Sequence, residues 1–105
     1  MIYTCTAFFY MNEEEKYCYV EIPQLGIDYE VRPEEFTQEN IIKTAYKGYE
    51  DMLFALSLEK DEIEIAGLAD ASSAYDFREE FTADLDEVKK SRKVIWRMKY
   101  DDQPE

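Results

Sequence analysis

Residues 2–22 read IYTCTAFFYMNEEEKYCYVEI. β-Branched and aromatic side chains crowd both ends of this stretch, and a polar run, Asn12 to Lys16, divides them. That composition favours two strands joined by a loop of hairpin length. Pro23 ends the second strand because it has no N–H to give to a ladder. The pairing register then decides which side chains become core, since a slip of one residue sends every side chain to the opposite face. With Met11 opposite Tyr17, one face carries Ile2, Phe8, Tyr10, Cys18, Val20 and Ile22. The other carries Tyr3, Cys5, Ala7, Phe9, Met11, Tyr17, Tyr19 and Glu21. The same register sets Cys5 opposite Pro23, far from Cys18, which argues against a disulfide between them. A bulge or a shifted loop changes both faces together.

Working outward, Gln24 to Gly26 reads as a short turn, and Ile27 to Val31 (IDYEV) as a third strand. It alternates, with Ile27, Tyr29 and Val31 inward and Asp28 and Glu30 outward. The first third of the chain is thus a three-stranded antiparallel meander. Thr37 follows as the N-cap of a long helix, with Glu39 placed to favour its dipole. Ile41, Ile42, Ala45, Tyr46, Tyr49, Met52, Leu53 and Leu56 form an apolar stripe about 140° wide that should cover one face of the meander. Phe54 falls outside the stripe, near Lys43, Lys47 and Glu50. It is an exposed contact residue, a second core contact or a stray surface Phe. Residues 59–73 are acidic and then small, with Ile63 and Ile65 alternating before a loop from Gly67 to Ser73. Tyr75, Phe77, Phe81, Leu85 and Val88 suggest a short helix or an ordered loop over 74–90. Residues 93–100 (KVIWRMKY) read as the last strand, with Val94, Trp96, Met98 and Tyr100 on one face. The expected fold is α+β in the order β-β-β-α-β, one domain over 1–100 with a polar tail at 101–105.

The chain has 105 residues, the size of one domain. Its 25 Asp and Glu against 12 Lys and Arg leave a formal net charge of −13. A field of that sign repels phosphates and anionic lipid, so direct nucleic-acid binding and membrane binding are not expected, and it attracts basic proteins. The charge is uneven: the first 88 residues hold 22 acids and six bases, while 89–99 hold six bases and no acid. There is no His, which removes the commonest general base and transition-metal ligand. The three Gly are scattered and form no phosphate loop, and neither Ser nor Cys has a His to activate it. Asp84, Asp86 and Glu87 have partial Ca²⁺-loop spacing but lack the Gly and the terminal Glu of that motif. The reading is therefore a non-enzyme with no cofactor and no metal. Cys5 and Cys18 suit buried free thiols in a reducing compartment. With neither a signal peptide nor an apolar run of membrane-spanning length in the sequence, a cytoplasmic location is expected.

Three features together resemble the HicB family of antitoxins: the Tyr3 to Tyr10 run leading into an acidic hairpin loop, the strand Tyr17 to Pro23 (YCYVEIP), and the helix from Asn40 to Leu58 followed by Asp61 to Ile63. Val94 to Asp101 is similar to the family's closing strand. Val31 to Phe36 departs from the family, which often has a Gly-containing turn and a small-residue helix entry there. The resemblance implies a partial RNase H-like fold without its catalytic carboxylates. It implies a partner too, a small basic HicA-type toxin that cleaves RNA, held through complementary charge. Many members add a C-terminal DNA-binding domain; the residues after the last strand leave no room for one, so operator binding is not expected.

Candidate partner-binding residues are Glu13, Glu14, Glu15, Asp28 and Glu30 for a basic surface, with Tyr17, Tyr19 and Phe54 as aromatic anchors. Two other readings compete. One is a phage- or mobile-element-encoded inhibitor that presents acids in place of phosphates to a nucleic-acid-binding effector, as anti-CRISPR proteins do. The other is a homodimeric regulator joined through the aromatic sheet face of Tyr3, Phe9, Met11, Tyr17 and Tyr19, if residues 74–90 leave that face uncovered.

Overall fold

The computed structural model describes residues 1–60, 62–67 and 70–92. β1 (Ile2–Asn12) and β2 (Tyr17–Ile22) form the hairpin, and a 3-10 turn at Pro23–Leu25 leads to β3 (Ile27–Val31). The long helix α1 (Gln38–Glu59) follows, then β4 (Phe77–Asp84), and the chain is helical again over 85–92. The sheet runs β3-β2-β1-β4 and every neighbouring pair is antiparallel. The fold is a small α+β domain built on a four-stranded antiparallel sheet.

The hairpin register differs from expectation by one residue. Asn12 pairs with Tyr17 and Met11 with Cys18. Asn12 belongs to the strand because its side-chain oxygen accepts the Glu15 N–H at 3.0 Å, closing a four-residue loop in which Lys16 adopts φ 59°. The slip exchanges the partners on the two faces. Tyr3, Cys5, Ala7, Phe9 and Met11 now share the inner face with Cys18, Val20 and Ile22. Phe8 and Tyr10 share the outer face with Tyr17, Tyr19 and Glu21. The aromatic face proposed for a dimer is corrected accordingly: Tyr3 and Phe9 are buried in the core and Met11 packs against it.

The second correction is β4. Phe77, Phe81, Leu85 and Val88 are spaced three and four apart, which reads as helix in sequence. Instead, Phe77–Asp84 is a strand on the free edge of β1, with Phe9 opposite Phe77 and Ile2 opposite Asp84. Only Leu85 and Val88 are helical, in 85–92, and both complete the core. β4 runs opposite to β3, so α1 is not the crossover of a parallel strand–helix–strand unit. The expected last strand over 93–100 and the tail at 101–105 lie outside the described residues.

α1 starts where expected. Thr37 is extended and its hydroxyl accepts the Asn40 N–H at 3.2 Å; Glu39 sits in the first turn and pairs with Lys43 at 3.1 Å. Ile41, Ala45, Tyr49 and Leu53 are the buried stripe. They lie on the inner sheet face, where Phe9 stacks on Phe77 (4.4 Å between centroids) and Phe81 meets Tyr46 and Tyr49 edge-on or tilted at 5.4 and 5.6 Å. Burying each such ring stabilises the fold by roughly 1.5–3 kcal/mol. The Tyr49 hydroxyl reaches through the core to donate to the Tyr3 carbonyl at 2.8 Å.

Candidate functional site

α1 and the 85–92 helix cover only the inner face of the sheet. Strand alternation directs Phe8, Tyr10, Tyr17, Tyr19, Glu21, Asp28 and Glu30 to the other face. The register sets them in rows across the strands. Glu30, Tyr19 and Tyr10 stand side by side, then Asp28, Glu21 and Phe8, with Arg78 next to Phe8 on β4. One corner is covered: Tyr75 lies against Phe8 with centroids 4.9 Å apart, and Phe8 is 2% exposed. Ser72 N–H and the Tyr10 hydroxyl both donate to Glu21 Oε1, at 3.0 and 2.8 Å. Burial pushes the Glu21 carboxyl up, but the bonds from Ser72 and Tyr10 outweigh it and hold the group below its ordinary value.

Among the described residues nothing further covers this face, which is organised by tyrosine–carboxylate and arginine–carboxylate pairs. Tyr19, 42% exposed, donates its hydroxyl to Asp28 Oδ1 at 3.0 Å. That bond, the charge of Asp28, desolvation and the charges of Glu30 and Glu21 raise the phenol above its ordinary value. Arg32, just past β3, donates Nε to Glu30 Oε2 at 2.7 Å and lies over the Tyr17 ring, 4.8 Å from its centroid. Glu13, Glu14 and Glu15 form the exposed hairpin tip at this end of the sheet, and the Glu15 charge acts on Arg32.

Of the candidates named from sequence, Tyr17, Tyr19, Asp28 and Glu30 therefore share one face that no other described element covers, with Glu13, Glu14 and Glu15 at its rim. Phe54 is elsewhere: it is on α1, partly buried, and packs against the core. Tyr10, Glu21 and Arg32 belong to the face and were not among the candidates. Tyr10 was assigned to the other strand face by the one-residue slip. Arg32 lies in the Val31 to Phe36 stretch, and its place two residues beyond Glu30 on an outward-facing alternation is a usable signal.

Both cysteines are buried and unpaired; burial pushes the Cys18 thiol up to about 11 and raises Cys5 as well. Such thiols are inert toward nucleophilic chemistry near neutral pH. No group of three or more His, Cys, Asp or Glu among the described residues is placed to hold a metal ion. A groove of about 570 Å³ between α1 and β4 is lined by Ile42, Tyr46 and Phe81, with charges of both signs at its rim. No helix among the described residues is long and apolar enough to cross a membrane. Comparison of the chain with protein-family models, with curated proteins and with solved structures yields no match.

Proposed function

We propose that this protein is a non-catalytic acidic binding protein whose uncovered sheet face takes a basic protein partner, in the manner of a HicB-type antitoxin holding a small basic RNA-cleaving toxin. The observation that carries the reading is the common face of Tyr17, Tyr19, Asp28 and Glu30, acidic and aromatic together, with three further acids at its rim. Aromatic rings supply contact area that loses little entropy on binding, and the carboxylates supply steering and register. The order of three strands, a long helix and a further strand supports the antitoxin form of the proposal, as does the net charge of −13. β4 is a departure from it, since it lies ahead of the stretch that resembles the family's closing strand.

The test is co-expression with the product of the adjacent gene, followed by co-purification and a growth assay. A stable complex that relieves toxicity, and that weakens with added salt and with Asp28→Asn plus Glu30→Gln, is the expected result. A complex indifferent to those substitutions, or no complex with a small basic neighbour, overturns the proposal.

A further inference from the structure

The face described above already holds one guanidinium, and the manner of holding it is specific. Arg32 is stacked on Tyr17 and hydrogen-bonded to Glu30, so one ring and one carboxylate on adjacent strands bracket one cation. The pleat repeats these parts two residues along. Tyr19 follows Tyr17 on β2, and Asp28 precedes Glu30 on β3, all on the same face. The Tyr19 hydroxyl bonded to Asp28 fixes the second ring relative to the second carboxylate. Where the shifted pattern would bring a cation from β3, the strand carries Glu30, directly across from Tyr19. The second ring therefore has two carboxylates beside it, Asp28 and Glu30, and no basic side chain of β2 or β3 directed over it.

We infer that Tyr19, with Asp28 and Glu30, forms a slot for an arginine side chain supplied by the basic partner. The inference rests on the proposed use of this face and adds the chemistry it selects. A guanidinium is planar, so it stacks on the exposed phenol ring and presents N–H groups at its edge to both carboxylates at once. A lysine ammonium is a compact, strongly hydrated point charge that gains the Coulomb attraction but not the stacking. Charge complementarity favours this occupant: Glu21, Asp28 and Glu30 stand on the face and Glu13, Glu14 and Glu15 at its end, against Arg32 within this half of the face and Lys16 in the tip.

The experiment measures binding of two labelled synthetic peptides, octa-arginine and octa-lysine, to the full chain by fluorescence anisotropy at roughly physiological ionic strength. The arginine peptide should bind more tightly. Tyr19→Ala should lower its affinity by about two- to fivefold and leave the lysine peptide unchanged. Tyr19→Phe, which keeps the ring, should retain most of the preference. Far-UV circular dichroism confirms that each variant folds. Equal affinity for the two peptides, lowered alike by Asp28→Asn and Glu30→Gln, overturns the slot and leaves the acidic-face reading standing. Binding of neither peptide overturns both.

Discussion

Gly48 lies on α1 where the Tyr29 ring crosses the helix. A Cβ there would stand 2.6 Å from Tyr29 Cε2, and the Tyr29 hydroxyl is tied to the Ala45 carbonyl at 2.5 Å. Helix propensity alone favours Gly48→Ala by about 1 kcal/mol. The ring cannot move without losing that hydrogen bond and its packing, so the substitution should instead destabilise by roughly 1–2 kcal/mol in urea denaturation. Tyr49→Phe tests the core in a different way. It leaves the Tyr3 carbonyl buried without its hydroxyl donor and should cost about 1–2 kcal/mol with no change of fold. Lys16 is the reverse case, a non-glycine residue at φ 59°. Lys16→Gly should relieve roughly 1 kcal/mol of backbone strain, offset in part by the lost contact of the ammonium with the Phe36 ring 5.6 Å away. A denaturation midpoint that falls on this substitution would contradict the account of the hairpin turn.

Among the elements, the segment from Ser72 to Asp76 is held to the hairpin by few groups. Ser72 N–H meets Glu21, Asp76 N–H meets the Phe9 carbonyl at 2.8 Å, and the Asp76 carboxylate accepts the Met11 N–H at 2.6 Å. Glu21 is the group with a pH signature. Its carboxyl is held below the ordinary 4.5, so its contribution is fully present above that pH and is lost as pH falls through the lower folded value. Stability measured by denaturant titration between roughly pH 6 and 3 should fall with acidification, and Glu21→Gln should flatten that fall. An identical pH profile for the variant would show that other carboxylates carry the effect. The same contacts bury Phe8 under Tyr75, which is why this ring, on the outer face, is as inaccessible as the core.

For the whole molecule, the net charge of −13 sets two opposite responses to salt. Self-repulsion within a compact acidic chain is screened by added ions, so the melting temperature should rise with sodium chloride. Attraction to a basic partner is screened as well, so its affinity should fall over the same range. A melting temperature that drops with salt would mean that ion pairs such as Arg32–Glu30 and Lys43–Glu39 outweigh the repulsion. Exposed pairs of that kind contribute only about 0–1 kcal/mol each, which is why the rise is expected.

The local elements were legible along the chain because each carries its own periodicity or cap. Alternation in Ile27–Val31, the stripe from Ile41 to Leu56, the N-cap at Thr37 and the stop at Pro23 all act over a few residues, and all stand in the structure. The acidity is likewise a property of the sequence alone, a net charge of −13. Register and sheet order were not legible, because they depend on contacts between residues distant in sequence. The hairpin pairs one position away from the expected register, which sets Phe9 beside Val20 on the inner face and Phe8 beside Glu21 on the outer one. Phe77–Asp84 is spaced like a helix yet pairs as a strand, because the open edge of β1 gains eight paired residues there and Phe77 and Phe81 still reach the core. The shared face of Tyr17, Tyr19, Asp28 and Glu30, and the Arg32 held on it, exist only once β2 and β3 lie side by side.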